Sequence, residues 1–239
     1  MSDSGTAEAS LRADLPLSRV SQLMEQAASI AKKYDAMQWA DRGKAAREIE
    51  QAARMAAGIA KAPHVATFID SLIEAGEKPL VFAWHHDVHE IILGELDHRR
   101  ILEITGRKTE AEKQQAARDF IAGDAHALLL SLRSTAGLDG LQKRGTCIVF
   151  AELDWAPAAH AQCEDRVHRM GYQGGNLVCY YLVSNTTHDL LMQEILGLKL
   201  GQFFDLMGDP GETPEQQDAA KEAAKQHIHT LVQRVKEGR

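Results

Sequence analysis

Residues 146–171 read TCIVFAELDWAPAAHAQCEDRVHRMG, and the way this stretch is read decides the fold. From Thr146 to Leu153 the apolar side chains fall on consecutive positions rather than alternate ones. Successive residues of a strand face opposite sides of a sheet, so a run without alternation is covered on both sides and belongs inside a parallel sheet. Past Pro157 the texture changes to helical spacing, up to Arg169. Working outward, the same unit recurs. Leu80–Trp84, Ile101–Thr105, Ala127–Leu132 and Leu177–Ser184 read as buried strands, and Val65–Ala75, Val88–Leu96, Thr109–Ala122 and Leu190–Leu200 as helices. Strand and helix alternate throughout, which predicts an α/β fold, a parallel sheet with helices on both faces. Such sheets bind ligands beyond the carboxyl ends of their strands, so the function is expected in the strand-to-helix loops.

Upstream, Pro16 to Lys61 is rich in Ala, Gln, Lys, Arg and Glu. Val20, Leu23, Met24, Ala27, Ile30, Ala31 and Tyr34 recur at three- and four-residue intervals, the pattern of a long amphipathic helix or helix pair. Gly43 and Gly58 are the expected interruptions. Four segments follow: a flexible start over 1–15, a helical arm over 16–61, the α/β lobe over 62–209 and a polar C-terminal helix over 210–239.

Composition limits the function. The 239 residues are 44% hydrophobic and 26% charged, the profile of a folded protein rather than a disordered one. A net charge of -7 argues against a protein that coats nucleic acid by bulk attraction, since phosphate binding requires clustered Lys and Arg. Any nucleic-acid contact is therefore local, with Arg99, Arg100, Arg107 and Lys108 as one basic group and Arg133, Lys143 and Arg144 as another. No apolar stretch approaches the roughly 20 residues that span a bilayer, so no membrane partner is expected. The polar, acidic start lacks the pattern of a secretion signal, and a cytoplasmic location is expected, nucleoid-associated if the source is bacterial or phage. Cys147, Cys163 and Cys179 stand singly and read as reduced core thiols.

The loops carry the unusual chemistry. In Gln162 to Gly171, helical spacing puts Gln162, Arg166 and Arg169 at i, i+4 and i+7, an amide and two guanidiniums on one face. A guanidinium is planar, always charged and matched to phosphate oxygens. The segment Ser134 to Leu141 is small and glycine-containing, so its backbone N–H groups can approach an anion or simply turn tightly. It is not a phosphate loop of the G-x-x-x-x-G-K-[ST] kind, and no such loop and no Asp-Glu-x-His motif occurs in the 239 residues. His85, His86 and His89 offer an i, i+4 pair but no convincing third ligand, so no metal site is expected.

These residues carry a resemblance. Phe150 to Pro157 followed by Gln162 to Gly171 resembles motifs V and VI of the SWI/SNF-type DNA-translocating ATPases of helicase superfamily two, in the annealing-helicase-like or the bacterial and phage branch. Leu80 to His86, Thr105-Gly106 with the helix ending at Phe120, Ser131 to Gln142, and Tyr181 to Ser184 come in the family's order. Two departures stand out: the family's Gly-Leu-Asn-Leu wording becomes Gly137-Leu138-Asp139-Gly140-Leu141, and Tyr172 replaces a glutamine.

The resemblance implies a RecA-like C-terminal lobe, one half of a two-lobed motor acting on double-stranded DNA. It implies that ATP and magnesium are shared with an N-terminal RecA-like lobe, in cis in a longer protein or in trans. Arg166 and Arg169 would be the arginine fingers, with Gln162, Gly137 and Asp139 on the nucleotide side and Asp139 toward the ribose. Gly106, Ser131, Arg133, Ser134, Thr135 and Trp155 would lie along the DNA. Without a phosphate loop the isolated chain is expected to be silent as an ATPase. The alternative is an interaction module derived from such a motor, binding DNA or protein without ATP hydrolysis.

Overall fold

The computed structural model describes residues 4–132, 138–154, 157–172, 177–184 and 189. The expected helices over 190–200 and 210–239 lie outside the described residues, as do Arg133, Ser134, Thr135, Gly137 and Trp155. The chain divides into two compact units, Lys61–Val183 and a second made from the residues before and after it.

Among the described residues, Lys61–Val183 holds five strands: β1 (Pro79–Ala83), β2 (Ile101–Ile104), β3 (Ala127–Ser131), β4 (Cys147–Phe150) and β5 (Val178–Tyr181). They form one sheet in the order β2-β3-β1-β4-β5, and every pairing is parallel. All five overlap the runs read as strands: β1 is shifted one residue earlier, and the other four are shortened by one to four residues. Between them lie α3 (His86–Glu95), α4 (Glu110–Ala122) and α5 (Pro157–Glu164). In the three central strands Leu80, Phe82, Leu128, Leu129, Leu130, Ile148, Val149 and Phe150 are fully buried. Consecutive burial means both faces of the sheet are covered, as the lack of alternation requires.

The clearest local signal is at α4. Thr109 accepts from the Glu112 amide while the Glu112 carboxylate accepts from the Thr109 amide, a reciprocal cap. Gly123 ends the helix at φ 102°, a left-handed conformation that glycine adopts without a Cβ clash.

The helical part differs from expectation. α1 (Ser4–Lys33) begins inside the stretch read as a flexible start, and α2 (Trp39–Glu74) absorbs both the end of the arm and the helix expected at Val65. α2 passes Gly43, Gly58 and Pro63 without a break. A glycine costs a helix only about 1 kcal/mol relative to alanine, and alanine-rich neighbours offset it. Pro63 leaves the carbonyl one turn earlier without its usual amide donor, yet the helix continues because Ile59, Ala62, Val65, Ala66 and Ile69 are buried. In the other unit, Leu23, Ala27 and Ala31 form the buried stripe of α1. Arg42 closes the turn into α2 by donating to the carbonyls of Met37 and Asp35, at 3.1 and 2.7 Å.

Candidate functional site

β1 leads through α3 toward one edge of the sheet, and β4 leads through α5 toward the other. Neighbouring strands whose connections part in this way leave a crevice at their carboxyl ends, the usual ligand position in an open parallel sheet. β1 and β4 are that pair here.

Arg166 and Arg169 follow α5. The helix ends at Glu164, so the single helical face expected for Gln162, Arg166 and Arg169 does not form. Past Glu164 the backbone tightens: the amides of Arg166 and Val167 bond three residues back, to Cys163 and Glu164, and the Arg169 amide bonds Val167. Gly171 then takes φ 96°. Gln162 is exposed on α5, and Arg166 is half-buried on the turn. Arg169 is exposed; its Nη1 donates to Asp139 Oδ1 at 2.9 Å and its Nε to the Asp165 carbonyl at 2.8 Å. Two candidate residues thirty positions apart in sequence, Asp139 and Arg169, therefore meet.

Ser131 is half-buried at the end of β3, in register with Ala83. Gly106 is exposed in the turn that precedes the Thr109 cap. The basic groups are partly neutralised. Arg99 Nε lies 2.6 Å from Asp70 Oδ1, Arg107 is 3.3 Å from Glu90, and Lys108 is 3.8 Å from Glu103. Tyr172, which replaces the family's glutamine, donates from its hydroxyl to the Thr146 carbonyl at 2.9 Å.

Cys163 is buried next to this turn. Burial pushes its thiol up to about 12, outweighing the opposite influence of Arg166, so it stays protonated and is a packing residue. Among the described residues, no three of His, Cys, Asp and Glu gather as metal ligands. His85 and His89 instead each face a different carboxylate, Glu152 at 2.6 Å and Glu103 at 3.0 Å.

Glu152 is the residue that sequence reading missed. Its Oε2 accepts from the Trp84 and His85 amides at 2.7 and 2.8 Å, and its Oε1 from His85 Nδ1 at 2.6 Å. It is 2% exposed. The available signal was one acid at the end of an otherwise apolar strand run, a group that is buried only when it is paired. Burial pushes this carboxyl upward, but the hydrogen bonds and charge of His85, with the His85 and Trp84 amides, outweigh it and hold the group below the ordinary glutamate value. A depressed folded-state value stabilises the fold above the unfolded value of about 4.3, and the contribution is lost as the pH falls below it. In acid titrations of unfolding free energy, the wild-type chain should therefore lose stability below about pH 5 more steeply than Glu152→Gln. Equal slopes would contradict this.

The family model described as helicase conserved C-terminal domain matches residues 61–171. The chain is 33% identical over 187 residues to the SWI/SNF-related matrix-associated actin-dependent regulator of chromatin subfamily A-like protein 1 of Bos taurus, covering 73% of this chain and 19% of that protein. To the DNA annealing helicase and endonuclease ZRANB3 of Homo sapiens it is 32% identical over 145 residues, covering 59% of this chain and 13% of that one. The chain thus spans less than a fifth of the length of these relatives. The C-terminal part of the Fun30 ATPase domain superposes with a TM-score of 0.52 at 16% identity, over 70% of this chain and 51% of that one, a likeness of fold. With a parallel sheet of this order, the chain carries the helicase C-terminal domain of the SWI/SNF-related family.

Proposed function

We propose that this chain is the second motor lobe of an ATP-dependent translocase on double-stranded DNA. The supporting observation is the arginine turn after α5: among the described residues Arg169 is exposed and donates to the still more exposed Asp139 and to a backbone carbonyl, with Arg166 three residues away. Guanidiniums presented in this way suit the charge that develops on phosphate oxygens during phosphoryl transfer. Bound ATP with magnesium would supply the phosphoryl group and a cation that offsets its charge. The residues of this chain fit one side of such a ligand. They offer two arginines, with no phosphate loop in the sequence and no cluster of acidic metal ligands among the described residues.

In this reading an N-terminal RecA-like lobe holds the phosphates, and closure of the two lobes brings Arg166 and Arg169 to them. Asp139 orients Arg169 until closure. Gln162, exposed on α5, meets the other lobe, and Gly106 and Ser131 meet the DNA backbone. Gly137, Arg133, Ser134, Thr135 and Trp155 take nucleotide and DNA roles on the resemblance alone. The purified 239-residue chain with ATP, magnesium and duplex DNA should show no turnover above background, because arginines without a cradle have no phosphate to act on. Robust DNA-stimulated hydrolysis by this chain alone would overturn the reading.

A further inference from the structure

The parallel ladder between β1 and β4 ends where the Ala151 amide bonds the Phe82 carbonyl, at 2.8 Å. Beyond that rung the strands part toward opposite edges of the sheet, and the next two amides of the β1 side, Trp84 and His85, lose the partners a continued strand would give them. Buried amides without partners are costly, and these two are satisfied by one side chain, the Glu152 carboxylate. Its second oxygen takes His85 Nδ1, so a single carboxylate binds three donors of the opposite loop. His85 has its other ring nitrogen, Nε2, buried without a hydrogen-bond partner, so Glu152 is what fixes its ring. Two residues beyond Glu152, the Asp154 amide donates to His160 Nε2 on α5 at 3.2 Å. The carboxylate thus stands between the start of α3 and the connection into α5.

We infer that Glu152 and His85 form a buried latch at the crevice between β1 and β4 that positions both strand-end loops, the β4 loop being the one that leads to Trp155, which the motor reading sets along the DNA. Glu152 and His85 are positioning residues: they act through the backbone of Trp84–His85 on one side and of Leu153–Asp154 on the other. A carboxylate suits this place better than a continued ladder. It lets the strands diverge while keeping their separation fixed, which an open crevice on a rigid sheet requires. The DNA part of this inference rests on the motor reading above; the coupling of the two loops does not.

The test uses the full chain and compares wild type, His85→Ala, His85→Asn and Glu152→Gln by hydrogen exchange and by affinity for a short duplex at low salt. Asparagine keeps a donor at the Nδ1 position, whereas alanine removes it. His85→Ala should speed exchange about tenfold in two segments together, 84–88 and 152–160, while α4 and β3 keep wild-type rates. Its duplex affinity should fall about tenfold, and His85→Asn should restore both properties to within about threefold. Faster exchange in 84–88 alone, in neither segment, or uniformly along the chain would overturn the latch, as would equal behaviour of the alanine and asparagine variants. If His85→Ala does not fold, Glu152→Gln is judged by the same two-segment pattern. If the wild-type chain does not bind duplex DNA, the motor reading fails, while the exchange pattern still decides the latch.

Discussion

Replacing Arg169 by alanine should lower DNA-stimulated ATP turnover by about 10³-fold or more in a motor assembled from this chain and a first RecA-like lobe. That is the scale of contribution an arginine finger makes in nucleotide hydrolases. Lysine at this position should restore little, since it is a point charge without the planar fork that spans two phosphate oxygens. Stability should barely change. Arg169 and Asp139 are 43% and 82% exposed, and an ion pair so open to solvent is worth about 0–1 kcal/mol. Turnover and melting temperature measured on the same preparation separate the two effects. A variant that loses more than about 3 kcal/mol of stability would show that Arg169 is a structural residue instead.

The second large effect is on folding. Phe150 is fully buried in β4. Its ring stacks on Phe82 at 5.6 Å and on Tyr181 at 4.8 Å, and meets His160 edge-on at 4.8 Å. It thereby joins β1, β4, β5 and α5. Tyr181 adds a hydrogen bond from its hydroxyl to Glu164, the last residue of α5. Phe150→Ala removes a large ring from a packed core and should cost about 3–5 kcal/mol. For a chain of this size that corresponds to roughly 6–20 °C in melting temperature. Val178→Ala is the control: 46% exposed on the edge strand, it should change stability by no more than about 0.5 kcal/mol. Similar losses for both variants would contradict this account of the core.

These two residues also show what the sequence makes legible. Phe150 lies in an unbroken apolar run, and such runs located every strand among the described residues, because a parallel strand covered on both faces has no polar positions to confuse the reading. The cap at Thr109 and the stop at Gly123 were equally local, since each rests on residues within one turn. Helix continuity was less legible. Gly43, Gly58 and Pro63 each weaken a helix, but burial along α2 comes from packing, which no local rule contains. The arginine helix failed for a related reason: 3.6-residue spacing continues through Arg169, while the turn after Glu164 is held by a mixture of i−2, i−3 and i−4 backbone bonds that spacing does not reveal. Glu152 was hidden because its partners, Trp84 and His85, lie nearly seventy residues earlier and are mostly backbone amides.

The meeting of Asp139 with Arg169 was likewise invisible locally. It brings together the Gly-Leu-Asp loop after β3 and the turn after α5, each read separately in the sequence. The departure of the Gly-Leu-Asp loop from the family's wording gains a physical consequence: the acid meets the arginine that the resemblance makes a finger. Tyr172, the other departure, is tied to the Thr146 carbonyl at the start of β4, so its hydroxyl already serves the fold.

ATP turnover upon mixing this chain with a first RecA-like lobe from a SWI/SNF-related relative, in the presence of duplex DNA, tests the central claim most directly. The account predicts that neither part hydrolyses ATP appreciably by itself and that the mixture does so in a DNA-dependent manner. Duplex binding by the chain with no turnover in any mixture would contradict it, and would make the chain an interaction module rather than half of a motor.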